Sequence, residues 1–118
     1  MAHTISFRHA LDGIIYVFRT QPNFRIHSIV GFCAIFAGWL FRITRTEWLI
    51  LLFTVFIVFA TEMVNTAIES MTDLITTEHR QQAKIAKDVS AGMVLISAIG
   101  ASIVGLVIFM PYVISKHP

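Results

Sequence analysis

The chain has 118 residues and a formal net charge of +2, with 56% of its residues hydrophobic and 14% charged. Soluble domains carry about 25% charged residues, and a soluble chain of this size could not hide so much apolar surface. The mean hydropathy of +0.74 points to lipid as the solvent of a single membrane domain, and no interleaved basic and aromatic pattern marks a nucleic-acid surface.

In chain order, residues 5–20 come first. Phe7, Leu11, Ile14 and Phe18 recur at helical spacing while Arg8, Asp12 and Arg19 fall off that stripe. This pattern predicts an amphipathic helix lying flat on the membrane. "QPNF" breaks it, because Pro22 disfavours helix at Gln21 and Asn23 suits a turn or a cap. No long apolar core with a small-residue cleavage site precedes the first span, so insertion is expected to use the mature helices.

Three apolar segments follow, at about 26–42, 47–75 and 85–115. A spanning helix needs ~20 mostly apolar residues, so the second and third cross comfortably. The first is short and is expected to cross with His27 and Arg42 snorkelling toward the headgroups. Thr44 or Thr46 is available to cap the second span, and "TTEHRQQAKIAKD" predicts a bend near residues 76–80 and an early start to the third helix. That helix carries Ser90, Gly92, Ser97, Gly100, Ser102 and Gly105. Small residues of this kind let backbones approach closely in lipid, either within the chain or between subunits.

Sorting the basic residues by side sets Arg8, Arg19, Arg25, Arg80, Lys84 and Lys87 against Arg42, Arg45 and Lys116. The positive-inside rule then places the N-terminus and the 76–88 loop in the cytoplasm and the C-terminus outside. Cys33 stands alone in the first span and reads as a small packing residue. His9, His27, His79 and His117 lie near polar segments and His3 is terminal. No HExxH pair is present, so these histidines read as interface or surface residues.

The second span holds the chemistry. Glu62, Asn65 and Glu69 share one helical face with Asp73 a further turn along. Glu62 lies ~21 Å along the helix from Trp48. A carboxylate in a spanning helix costs ~2.5 kcal/mol or more unless protein or water surrounds it, so the stripe is expected to line a shared, hydrated site. Carboxylates at two depths allow one to take a proton from a buried hydroxyl while the other holds a hard cation. Lys87 and Asp88 stand at the entrance to the third helix, where lysine can meet phosphate oxygens. Lys84 reads as a headgroup anchor. A base, a cation-binding carboxylate and a phosphate-binding lysine at the lipid boundary suit phosphoryl transfer to a lipid. The competing class is a non-enzymatic membrane subunit or small transporter, which has no use for the Lys87–Asp88 cluster. No GxxxxGK[ST], GxGxxG or protein-kinase motif set occurs.

"EMVNTAIESMTD" resembles the signature of the prokaryotic diacylglycerol kinase family, E-x-hydrophobic-N-[ST]-[SA]-hydrophobic-E-x-x-V-D, departing from it at Thr72. "NFRIH" and "AKIAKDVSAGMVL" are similar to its undecaprenol kinase branch, so the resemblance covers roughly residues 5–110. The resemblance implies a homotrimer of three-span subunits that phosphorylates a membrane lipid with MgATP in sites shared between subunits. It implies Glu62 as catalytic base, Glu69 as magnesium ligand, and Asn65, Asp73, Lys87 and Asp88 as substrate and nucleotide contacts. Many members carry Glu where this chain has Gln21, in "TQPN". A Gln oxygen can still coordinate or hydrogen-bond there, without the charge.

Overall fold

The computed structural model describes residues 6–115. The chain forms α1 (Phe7–Thr20), α2 (Pro22–Phe41), α3 (Arg45–Ile75) and α4 (Gln81–Ile114). The last three are long and apolar enough to cross a membrane. His3, Lys116 and His117, which entered the readings of charge and surface above, lie outside the described residues.

Gln21 alone separates α1 from α2. Its extended backbone ends one helix and caps the next, with its N–H donating to Val17 O at 2.9 Å and its own carbonyl accepting from Phe24 N at 3.1 Å. Pro22 has no N–H to satisfy and a φ already suited to a first helical turn, so the span starts there rather than at residue 26. Asn23 is accordingly a first-turn residue, not a cap. The earlier start gives α2 20 residues, or ~30 Å, enough to cross the hydrocarbon core without the snorkelling expected of His27.

At its other end α2 stops on Arg42, whose left-handed backbone (φ 52°, ψ 55°) carries the N–H of Ile43 back to Gly38 O at 3.1 Å. Ile43 is thereby buried against Leu51 and Ile108. Thr44, not Thr46, caps α3 in a reciprocal box: Glu47 N donates to Thr44 Oγ1 at 3.2 Å and Thr44 N donates to Glu47 Oε1 at 3.0 Å. The Tyr112 hydroxyl donates to the same Glu47 oxygen, tying the end of α4 to this corner.

The helices pack as antiparallel neighbours. Between α2 and α3 the contacts are Phe24 on Phe59, with ring centroids 5.1 Å apart, and Gly31 opposite Val55. Between α3 and α4 they are hydrogen bonds distributed along both helices, with Asp73 meeting Lys87, Asn65 meeting Ser90 and Thr61 meeting Ser97. Few residues are buried, whereas Phe32, Trp39, Phe53, Phe56, Leu95 and Val107 stand exposed, as they can when the surroundings are lipid. Cys33 is likewise exposed rather than packed.

Gly38 is where the corner is tightest. A Cβ there would lie 2.9 Å from Trp48 Cη2 and 3.0 Å from Ile43 Cδ1. Overpacking of this kind costs about 1–3 kcal/mol. Gly38→Ala is therefore expected to lower the thermal midpoint in detergent, while Gly13→Ala, whose Cβ would meet open space, leaves it level or raised. Equal midpoints for the two variants would show that the corner has slack.

Candidate active site

The acidic face of α3 descends from buried to exposed. Glu62 is 2% exposed; Asn65 and Glu69 are half-buried and Asp73 is exposed. The helical spacing read from the sequence is what aligns them. The gradient comes from α2 and α4, which cover the Glu62 end.

Glu62 sits opposite α2, where His27 Nε2 stands 3.3 Å from Glu62 Oε1. That oxygen has no hydrogen-bond partner, so the ring stands beside it without bonding it. Thr66, one turn below, is also buried and donates its hydroxyl to the Glu62 carbonyl at 3.0 Å, which leaves the Glu62 carboxylate as the side-chain acceptor at this level.

Asn65 holds the centre. Its Nδ2 donates to Glu69 Oε1 at 3.3 Å, and its Oδ1 accepts from Ser90 Oγ at 2.8 Å. Ser90 is itself 2% exposed. The amide is therefore oriented from both sides, with its donor end toward the Glu69 carboxylate.

Below this level, Lys87 Nζ donates to Asp73 Oδ1 at 2.7 Å. Both border a cleft of about 530 Å³ over the α3–α4 connector, walled further by Thr76, Arg80, Lys84 and Asp88. Every cation of this cleft has a carboxylate partner: Arg80 bonds Glu78 at 2.9 Å, and Lys84 pairs with Asp88. Asp88 therefore turns to Lys84 along its own helix instead of joining Lys87. Lys84, expected to be a headgroup anchor, is part of the cleft.

The Gln21 side-chain amide donates to Thr20 Oγ1 at 3.4 Å and makes no direct hydrogen bond to Glu69 among the described residues. Nor do three or more His, Cys, Asp or Glu side chains gather anywhere among the described residues in a way that could hold a metal ion. The donors at hand, Glu69 with the Asn65 amide beside it, are hard oxygens with one carboxylate. Such a set fits a magnesium ion that takes most of its ligands from phosphates and water, and does not fit an all-protein cage.

Sequence reading missed His27, taken as a surface or interface residue, and Ser90, taken as a packing residue. Helix α2 carries no periodic polar signal that would direct one histidine at Glu62. That pairing depends on the register of α2 against α3.

On the side of His27, an apolar groove of about 680 Å³ runs between α2, α3 and α4, lined by His27, Val30, Leu51, Val55, Val58 and Leu106 among others. Fold and site together define a three-span helical membrane protein with a carboxylate buried beside an apolar groove and a charged cleft at one helix end. Residues 8–109 match the prokaryotic diacylglycerol kinase family, and the chain belongs to that family. It is 41% identical to the undecaprenol kinase of Bacillus subtilis over 106 residues, 90% of this chain and 86% of that one. It is 42% identical to a diacylglycerol kinase of Synechocystis over 112 residues, 94% of this chain and 64% of the longer relative. A diacylglycerol kinase of Haemophilus influenzae is 29% identical over 108 residues, 91% and 89% of the two chains. The protein is a bacterial membrane kinase of this family.

The Ser90–Asn65 hydrogen bond gives the arrangement a direct test. A hydrogen bond of this kind contributes about 1 kcal/mol net, so Ser90→Ala should slow ATP-dependent phosphorylation of lipid by roughly fivefold without loss of folded protein. A rate equal to wild type would mean that Asn65 keeps its orientation unaided.

Proposed function

We propose that the protein transfers the γ-phosphoryl group of ATP, bound with magnesium, to the hydroxyl of undecaprenol. The observation that carries this reading is a carboxylate sealed into a membrane-spanning helix, with the wall of an apolar groove on one side and a lysine-bearing cleft at the helix end. The groove suits the part of a lipid chain nearest its head, with the hydroxyl brought to the level of His27 and Glu62. Diacylglycerol is the runner-up acceptor. Undecaprenol is preferred because the chain covers 86% of the Bacillus subtilis undecaprenol kinase but 64% of the Synechocystis diacylglycerol kinase, and because "NFRIH" and "AKIAKDVSAGMVL" are similar to the former branch. A scaffold or transporter is not favoured, since the family and these relatives are kinases.

In this mechanism Glu62 takes the proton of the acceptor hydroxyl. Asn65 orients the reacting groups, and Lys87 exchanges Asp73 for a phosphate oxygen, with Asp73 and Asp88 bordering the nucleotide. Glu69 with Asn65 would hold magnesium, which when bound neutralises phosphate charge. Gln21, lacking charge, is at most a hydrogen-bonding contributor to the nucleotide side.

Helix α1 is proposed to lie in the interface. Its Phe7, Leu11, Ile14 and Phe18 are exposed in the single chain and would enter the headgroup layer. The N-terminus and the α3–α4 connector face the cytoplasm in this reading, where ATP is available. Self-association into a trimer with shared active sites is supported by α4: a Cβ at Gly92, Gly100 or Gly105 would meet nothing within 4 Å. Packing within one chain does not account for these glycines, whereas close approach of a second copy would.

The test is the full-length protein in bilayers with γ-labelled ATP and both lipids. Label is expected to pass chiefly to undecaprenol, and Glu62→Gln is expected to cut turnover by about 10²-fold or more, the usual contribution of general-base catalysis. Labelling of diacylglycerol alone would overturn the acceptor assignment. Near-normal turnover in Glu62→Gln would remove Glu62 from the role of base.

A further inference from the structure

His27 is a half-buried imidazole on α2 that approaches the carboxylate of Glu62, on a different helix. Three observations make this contact more than packing. Glu62 Oε1, the oxygen His27 approaches at 3.3 Å, is buried and has no hydrogen-bond partner. The Thr66 hydroxyl, one turn along α3, is committed to the Glu62 backbone carbonyl. His27 also lines the apolar groove, on the face where a lipid head would arrive. A buried carboxylate without hydrogen bonds carries a large desolvation penalty. Among the described residues, His27 is the side chain on a neighbouring helix that stands beside this oxygen.

We infer that His27 is a positioning residue for the phosphoryl transfer: its ring, set against Oε1, fixes the Glu62 carboxylate and leaves Oε2 for the acceptor hydroxyl. This role rests on the reading of Glu62 as the base. In the transfer step the hydroxyl proton passes to Glu62 Oε2 as the lipid oxygen forms its bond to the γ-phosphorus. The bond from that phosphorus to the bridging oxygen breaks, and ADP leaves with the electron pair. His27 takes no part in the proton transfer itself. Glu62 then returns its proton to water when the product departs. Glu69 is the other carboxylate on this face of α3, but its oxygen is engaged by Asn65. The polar groups that α4 presents nearby, Ser90 and Ser97, are neutral and bonded to Asn65 and Thr61. Neither helix therefore offers a substitute for the imidazole ring.

The register that creates the contact is built into the packing. Phe24 stacks on Phe59, and Gly31 lies against Val55. Between those contacts α2 presents His27 to the turn of α3 that carries Glu62. A histidine placed there for packing alone could be exchanged for a residue of similar shape with little effect on rate. A positioning residue could not.

The test is steady-state kinetics of the full-length protein in bilayers with ATP and undecaprenol, comparing wild type, His27→Ala, His27→Gln and Glu62→Gln. Losing the side chain that fixes the buried carboxylate should lower kcat of His27→Ala by roughly ten- to a hundredfold, with KM for ATP within about twofold of wild type. His27→Gln restores a polar side chain of similar reach and should fall between wild type and His27→Ala. Added imidazole should raise the rate of His27→Ala several-fold and leave wild type and Glu62→Gln unchanged. Wild-type kcat in both His27 variants beside an inactive Glu62→Gln would overturn the positioning role while leaving Glu62 as base. An active Glu62→Gln would overturn both. A slow His27→Ala that imidazole does not rescue, with His27→Gln equally slow, would mean that the residue only packs.

Discussion

Glu62 places a carboxylate in a membrane-spanning helix at 2% exposure, and much of the surrounding architecture follows from accommodating it. An acidic group at such a depth costs ~2.5 kcal/mol or more, so it persists only where neighbouring helices provide for it. The α1–α2 junction at Gln21 starts the span early enough for His27 to lie in its second turn. Phe24 and Gly31 then fix the approach of α2 to α3 on either side of that residue. Far from Glu62, the Gly38–Ile43–Thr44 corner sets where α3 begins and therefore which of its turns face α2. The tight corner and the buried acid belong to one register.

A second constraint acts at the connector end. Lys87, Lys84 and Arg80 each pair with a carboxylate, so the cleft is close to neutral before any nucleotide binds. Exposed pairs of this kind contribute little to stability, with a median of about 0–1 kcal/mol, and are correspondingly easy to exchange. Phosphate oxygens can replace Asp73 on Lys87 at small cost, and the released carboxylate remains beside the site. The deep end is therefore held rigidly by packing, while the shallow end is held by contacts that a triphosphate can displace. This division suits an enzyme whose acceptor arrives through lipid and whose donor arrives through water.

Much of this was legible in the sequence. Composition and segment length required a helical membrane domain, and the spacing of Glu62, Asn65 and Glu69 put them on one face because helical periodicity is a local property. The break at Gln21 and Pro22 could be read for the same reason. What was not legible depends on how helices meet. The partner of Glu62 lies on α2, the partner of Asn65 is Ser90 on α4, and the partner of Lys87 is Asp73 rather than Asp88. None of these pairings has a sequence spacing that announces it. The length of the first span was misjudged because a proline was read as a stop, when its fixed φ and missing N–H make it equally suited to start a helix.

The central claim is that the acceptor hydroxyl meets Glu62 inside the membrane. A crystal structure of the protein with a non-hydrolysable ATP analogue, magnesium and a short-chain polyprenol addresses it directly. The account predicts the polyprenol hydroxyl within about 3 Å of a Glu62 carboxylate oxygen, the reach required of a general base, with a phosphate oxygen on Lys87. A hydroxyl bound instead beside Asp73 or Asp88 in the connector cleft, with Glu62 still sealed against His27 and out of reach, would contradict it.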